Sequence, residues 1–566
     1  MYSYFKNNLR LLSHCNISKE RILFVYFLSF LIAILETFGI GMLLPIGEYL
    51  LNSQSQSHLQ TTSWKLIYKI FDFLNLNPSI KIVVALAIIT IIVRQICTYT
   101  KLIVSAKIQY EIAKTLRRNL FASLIKTDLK HSKNLKTGEN ANLATTEIHN
   151  AAIAGVSPFD IITAILLLLS YFMIMTILSW QATVFIISFG FLIGALVKLL
   201  NKKIDRLSEY IIDINNDFTQ HFVERLRAIK LIKLNHMYDK EHASNYNILH
   251  KQYKTNMTLT KIYGITATGL EPLVIAIVLP GLILSVHLGA SLTLLGMFAI
   301  ILARLIPTFK VMIEGLQTYI RFNASSERIL LSILEAKNKQ EYRLGTKKFP
   351  SKFKTISLNN ITFRHLDSKN FIFKNFSATL RAGKINAIIG PSGAGKTTLV
   401  DMLPLLLKPS SGKIKVGGID ITEINIKSLR NNFAYVDQSP FFFKGSIMEN
   451  LTYSQSKTNT SKCIEAAKLA KAHSFIIKLP LKYNYLLGET GTGLSGGQLQ
   501  RLEIAKALAT GRKIIILDEP TSNLDSKSSE DILKTIVNIN KKTDFTFVII
   551  SHKQDISKYC NHLIKL

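Results

Sequence analysis

The chain has 566 residues, 48% of them hydrophobic and 19% charged, with a formal charge of +32. A charged share below the roughly 25% of soluble domains, with a mean hydropathy of +0.24, excludes a disordered chain and argues against a purely soluble enzyme. Four scattered cysteines (Cys15, Cys97, Cys463, Cys560) form no Cys-x-x-Cys pair, so neither zinc nor a disulfide scaffold is indicated.

Six apolar runs of the roughly 20 residues that cross a bilayer lie near Ile22–Leu51, Ile80–Val104, Ala154–Leu178, Ala182–Leu200, Ile262–Val286 and Leu292–Met312. The first is too long for a signal peptide, and no small-x-small cleavage site follows it. Cation placement supplies the topology. Ser179–Gln181 and His287–Ser291 hold no Lys or Arg, and Asn52–Ser79 holds only Lys65 and Lys69. Ala106–Asn150 carries eight cations, from Lys107 to Lys136, and Asn201–Asn256 carries ten, from Lys202 to Lys254. Positive residues collect in cytoplasmic loops, so both termini and both long basic segments are expected in the cytoplasm. The charge is then a topology signal and not a nucleic-acid footprint. Both basic segments have helix-favouring composition and read as spans running on into the cytoplasm, turning near Asp128–Thr137 and Glu224–Lys233.

A polar stretch, Lys337–Lys352, with Gly345 and Pro350, reads as a linker. The expected division is a transmembrane domain over 1–335, a linker over 336–352 and an α/β nucleotide domain over 353–566. There the strand Lys384–Ile389 runs into Gly390-Pro-Ser392-Gly393-Ala394-Gly395-Lys396-Thr397-Thr398. This is the phosphate-binding pattern, whose backbone N–H groups curl around phosphate oxygens. Lys396 would reach the β- and γ-phosphates of ATP, Thr397 would hold Mg²⁺, and a helix is expected over Thr398–Leu407. A second buried strand, Lys513–Leu517, ends in Asp518-Glu519-Pro520. Asp518 suits the Mg²⁺ shell, and Glu519 is placed to polarise an attacking water as general base. A third element, Leu494-Ser495-Gly496-Gly497-Gln498, opens a helix over Gln498–Ala509 and offers amides to an anion. The chain already has a phosphate loop, so this second clamp is expected to serve another molecule's ATP.

These motifs resemble the signature of ATP-binding cassette (ABC) proteins, and the whole chain is similar to a bacterial ABC exporter half-transporter. The resemblance implies a six-span helical membrane domain followed by a P-loop NTPase domain with a helical subdomain. It makes Gln438 the Q-loop glutamine that senses Mg²⁺, and His552 the switch histidine on the γ-phosphate. Gly488-Glu489-Thr490-Gly491 resembles the exporter X-loop, and Asn523-Leu524-Asp525 the D-loop; Glu489 and Asp525 would serve inter-domain and inter-subunit coupling. His365 falls where the family usually places an adenine-stacking tyrosine. A split site of this kind implies a dimer, either of two identical chains or with a similar half-transporter.

Charged residues at bilayer depth are expensive and mark functional candidates; here they are Glu36, Arg94, Glu271 and Arg304. Glu36-Thr-Phe-Gly-Ile-Gly41 and Arg304-Leu-Ile-Pro307 resemble stretches of exporters that flip lipid-linked oligosaccharides. That branch would carry an arginine near Ala267, which this chain lacks. The expected function is ATP-driven export or flipping of an amphipathic substrate, a lipid or lipid-linked saccharide, across the inner (plasma) membrane. A multidrug or peptide exporter is the alternative. A nucleic-acid ABC ATPase is a remote one, against which the six spans and one-sided cations argue.

Overall fold

The computed structural model describes residues 2–43, 46–47, 80–132, 137–178, 180–287, 292–341, 345–365, 370–455, 459–488, 493–522 and 524–566. Two compact units emerge: Met1–Lys126 with Asn134–Asn338, and Thr127–Lys133 with Lys339–Leu566.

The first unit is helical. Its long helices are Lys19–Gly41, Ile80–Ile125, Ile148–Leu178, Trp180–Arg227, Tyr238–His287 and Leu292–Asn338. A short helix, Tyr2–His14, precedes them. At 1.5 Å per residue, the 46 residues of Ile80–Ile125 reach about 69 Å, over twice the roughly 30 Å hydrocarbon core. The basic segments are therefore helical continuations of the spans, as their composition suggested. The first such helix stops at Ile125 and the Trp180 helix at Arg227, followed by the short helix Ile229–Leu234. Pro158, Pro272, Pro280 and Pro307 sit inside helices without ending them.

Among the described residues, three helical stretches are long and apolar enough to cross a membrane: Lys19–Gly41, Ile80–Ile125 and Gly138–Ile177. The other three expected spans fall within Trp180–Arg227, Tyr238–His287 and Leu292–Asn338. Phe27, Phe30, Ile88, Ile92, Ile96, Leu169 and Ile177 lie exposed on the first three stretches. So large an apolar surface suits helices whose solvent is lipid. Inward, Ile108, Ile112, Leu116, Ile148, Phe159 and Ile329 close a core without such exposure.

In the second unit the strands are β1 (Thr355–Phe363), β2 (Phe373–Arg381), β3 (Ile385–Ile389), β4 (Ser411–Val416), β5 (Ile419–Asp420), β6 (Phe433–Val436), β7 (Gly445–Ser446), β8 (Leu486–Leu487), β9 (Ile514–Asp518), β10 (Thr546–Ser551) and β11 (His562–Lys565). An antiparallel sheet runs β2-β1-β4-β5, and a parallel sheet runs β11-β3-β10-β9-β6. Every residue of β3, β9 and β10 is buried. Parallel strands are covered on both faces, which is why these segments read as unbroken Ile/Val/Leu runs.

Two helices differ from expectation. The one after the phosphate loop spans Lys396–Met402 and ends before Leu405, whose φ of 55° lies in the left-handed region. The signature helix begins at Gly496, two residues early, because Ser495 caps it. The second unit also claims the short helix Leu129–Ser132. Asp128 N–H donates to the Lys339 carbonyl at 2.9 Å, and Lys130 Nζ lies 5.9 Å from the Phe363 ring centroid.

Phe547, the second residue of β10, is at 0% exposure and belongs to the core that holds the parallel sheet. Phe547→Ala should cost about 3–5 kcal/mol, measured as a lower denaturant midpoint for loss of nucleotide binding.

Candidate functional site

The parallel sheet brings three strand ends together. After β3 the chain turns through Gly390–Gly395, with Gly393 and Gly395 at φ of 82° and 86°. A Cβ on Gly395 would run into Ile372 Cγ2 and come within 2.8 Å of Phe373 Cζ. Only glycine fits both that backbone angle and that gap. Ser392 and Gly393 form the exposed rim of the loop, whereas Thr398 is buried in the helix behind it. Lys396 is 6% exposed and folds back, donating to the carbonyls of Gly390 (3.0 Å) and Pro391 (2.9 Å).

Asp518, the last residue of β9, is 4% exposed. Its Oδ2 accepts from Thr397 Oγ1 at 2.9 Å and from the Tyr435 hydroxyl at 3.1 Å. Burial pushes the Asp518 carboxyl above its usual range, with Asp437 and Glu519 adding to the rise. Burial, then Asp518 itself, likewise pushes the Tyr435 hydroxyl up, so it stays a donor. The two hydrogen bonds hold one carboxylate oxygen beside the Thr397 hydroxyl. Two hard oxygen donors next to a phosphate loop form a donor set that Mg²⁺ accepts, since it takes one or two protein oxygens beside phosphate and water.

Glu519 turns the other way. Its φ is +44° and its N–H donates to the Ile550 carbonyl at 3.1 Å, which swings the side chain off the strand end. One carboxylate oxygen accepts from Gln438 Nε2 at 2.9 Å, and the other lies 3.5 Å from His552 Nδ1. Gln438, Glu519 and His552, far apart in sequence, thus form one cluster.

The signature serine and glutamine cap each other. Ser495 N–H donates to Gln498 Oε1 at 2.9 Å, and Gln498 N–H donates to Ser495 Oγ at 3.4 Å. Among the described residues, no hydrogen bond links Ser495, Gly496 or Gly497 to the chain's own phosphate loop. Asp525 caps the helix Ser526–Lys542 by accepting from Ser528 N–H at 3.0 Å, and that bonding holds its carboxyl below the usual range. His365 stands edge-on to Phe363, with centroids 5.2 Å apart. Glu489, like Asn523, lies outside the described residues.

The helical unit contains a cavity of about 410 Å³ lined by Glu36, Arg94, Lys101, Thr163, Tyr171 and Arg304 among others. Arg94 is ion-paired with Glu36, whose Oε1 accepts from the Tyr171 hydroxyl at 3.0 Å. Lys101 Nζ donates to Asp160 Oδ1 at 2.8 Å and to Thr163 Oγ1 at 2.6 Å, and Thr163 also bonds Ser29. Among the described residues, Arg304 has no carboxylate partner.

Of the four charges expected to share a cavity, Glu271 is the exception. It lines a separate hollow of about 570 Å³ with Ala267, Thr268, Pro272 and Lys310. Its helix, Tyr238–His287, packs on Trp180–Arg227 and Leu292–Asn338, away from the helices of Glu36 and Arg94. Tyr435, Lys101 and Asp160 escaped the sequence reading. Tyr435 matters through the pairing of β6 with β9, which no local motif announces. Lys101 sits just past the apolar centre of its span, where cations are ordinary.

Gly395→Ala forces a side chain into the left-handed region and against Ile372. It should weaken ATP binding by about tenfold or more, as measured by equilibrium binding of a fluorescent ATP analogue.

Two family models match the chain: ABC transporter over residues 373–522, and ABC transporter transmembrane region over residues 22–279. Over 557 residues it is 30% identical to the heterocyst differentiation ATP-binding protein HepA of Nostoc sp., covering 97% of this chain and 90% of that protein. It is 27% identical over 456 residues to the ATP-dependent lipid A-core flippase of Coxiella burnetii, covering 79% and 76%. A bacterial Atm1-family ABC exporter solved with ATP bound shares the fold, with a TM-score of 0.75 over 97% of this chain and 94% of that one at 19% identity. With both regions in one polypeptide, the chain belongs to the ABC transporter family, as a half-transporter whose cassette hydrolyses ATP.

Proposed function

We propose that this exporter moves an anionic amphipathic molecule, a lipid or lipid-linked saccharide, across the bacterial plasma membrane. The observation that carries the reading is the charge balance of the 410 Å³ cavity. Arg94 is answered by Glu36 and Lys101 by Asp160, which leaves the Arg304 guanidinium to an incoming anion. Arginine's planar fork fits phosphate oxygens, and apolar helix faces around it accept a lipid tail. Relatives named lipid A-core flippases support the same class. One-sided cations support cytoplasmic termini and a cytoplasmic cassette.

ATP hydrolysis belongs to a membrane domain of 1–335 and a cassette of 353–566 acting as a pair of half-transporters, in the simplest case two copies of this chain. The Gly390–Gly395 amides and Lys396 hold the phosphates of one ATP, and the partner's Ser495, Gly496 and Gly497 close over the γ-phosphate. Thr397 and Asp518, with Gln438 beside them, hold Mg²⁺, which supplies charge neutralisation on the phosphate oxygens. Glu519 takes the proton of the attacking water, and His552 donates to the γ-phosphate; Gln438 holds Glu519 in line until nucleotide arrives. His365 supplies the adenine face, and Glu489 and Asp525 couple the nucleotide sites to their neighbours.

Glu519→Gln should keep ATP affinity while lowering turnover by about 10²-fold or more, measured by phosphate release beside nucleotide binding. Steady turnover in that variant would remove Glu519 from the chemistry. In liposomes, polyprenyl-phosphate-linked sugars or anionic glycolipids should raise ATPase activity, and Arg304→Ala should abolish that rise while leaving basal turnover. Equal stimulation by cationic drugs, unaffected by Arg304→Ala, would favour a multidrug exporter instead.

A further inference from the structure

The strand that leads to Gln438 runs on as Ser439-Pro440-Phe441-Phe442-Phe443. The Phe441 carbonyl accepts from Lys506 Nζ at 3.0 Å. Glu503, one turn before Lys506 on the same helix, is buried, and its Oε2 has no hydrogen-bond partner among the described residues. Lys506 and Glu503 lie three residues apart on one face of the helix Gly496–Ala509, and Lys506 holds the Phe441 carbonyl. Two residues on, Asn450 holds the backbone on both sides of Phe443: its Oδ1 accepts from Phe443 N–H, and its Nδ2 donates to the Phe443 carbonyl, both at 2.9 Å. Between these grips the Phe442 ring is 2% exposed, with Lys506 Nζ 5.4 Å from its centroid.

Glu503 is 5% exposed, and burial pushes its carboxyl up to about 7 against the opposing pull of Lys506. Burying such groups is expensive, and apolar side chains of similar size would hold a helix against a strand at least as well. What Lys506 adds is a directional hold on the Phe441 carbonyl, three residues from Gln438. The same helix opens at Ser495, where the second copy's ATP is received, while Gln438 contacts Glu519 of the chain's own site.

We propose that Lys506 is a positioning residue that makes Gln438 travel with the signature helix, so that capture of ATP at Ser495 is transmitted to Glu519 of the other site. The inference rests on the composite site proposed above. It gives each chain a mechanical link between the two nucleotides it touches, running Ser495, Lys506, Phe441, Gln438, Glu519.

The test is ATP turnover of the full-length protein in nanodiscs for Lys506→Met, Lys506→Arg, Gln438→Ala and the Gln438→Ala/Lys506→Met pair. Lys506→Met should lower kcat by about tenfold with KM for ATP within about twofold, and Lys506→Arg, which still donates, should restore most of the rate. In the Gln438→Ala background, Lys506→Met should cost less than about twofold more, because the lysine acts through the glutamine. An unchanged kcat for Lys506→Met, an equal fold-loss in both backgrounds, or no rescue by arginine would overturn the link. A slow Gln438→Ala beside a normal Lys506→Met would sink the link alone. A wild-type rate for Gln438→Ala would sink the role of Gln438 as well.

Discussion

Two adjacent carboxylates at the end of one buried strand point in different directions, and the nucleotide site is built on that divergence. Asp518 still belongs to the alternation of β9, so its side chain enters the space between Thr397 and Tyr435. Glu519 follows at a left-handed φ that ordinary side chains avoid, and it leaves the strand toward Gln438 and His552. Strain of about 1–3 kcal/mol at such a residue persists only where its surroundings over-determine it. Here the bond from its N–H to the Ile550 carbonyl of the neighbouring strand does so. The buried sheet supplies the rigidity, and the turned residue supplies the aim.

The helical unit meets a different constraint with a related device. Ionised side chains within a membrane region persist when they find partners or a wet cavity. Arg94 with Glu36 and Lys101 with Asp160 take the first course, and each pair joins two different helices. Tyr171 and Thr163 then take up further lone pairs and protons of these groups. Such pairing holds the cavity's walls while nearly cancelling its charge, and among the described residues it leaves Arg304 without a carboxylate partner.

The two units share an economy: polar groups that the sequence marks as candidates also hold a backbone or a helix in place. Ser495 and Gln498 cap each other at the start of the signature helix. Asp525 caps the next helix beside them, and Leu524 comes within 3.8 Å of where a Cβ on Gly497 would sit. The grip of the signature helix on Phe441 belongs to the same pattern, with side-chain charge spent on one peptide of the segment that carries Gln438.

Much of this was legible in the chain itself, because phosphate binding and membrane crossing are both local requirements. A loop that must wrap a phosphate needs its glycines in succession, and a span needs its apolar residues in succession, so 390–398 and the six runs announce themselves. The strand ends at Asp518 and Glu519 announce themselves too, since a strand covered on both faces is a continuous apolar word with an abrupt stop. Long-range pairing left no such trace. That Tyr435 reaches Asp518, that Lys506 holds Phe441, and that Glu271 lies apart from Arg94 depend on which strands become neighbours and which helix faces meet. Those choices are made by burial summed over whole elements, a collective quantity that no single stretch of sequence contains.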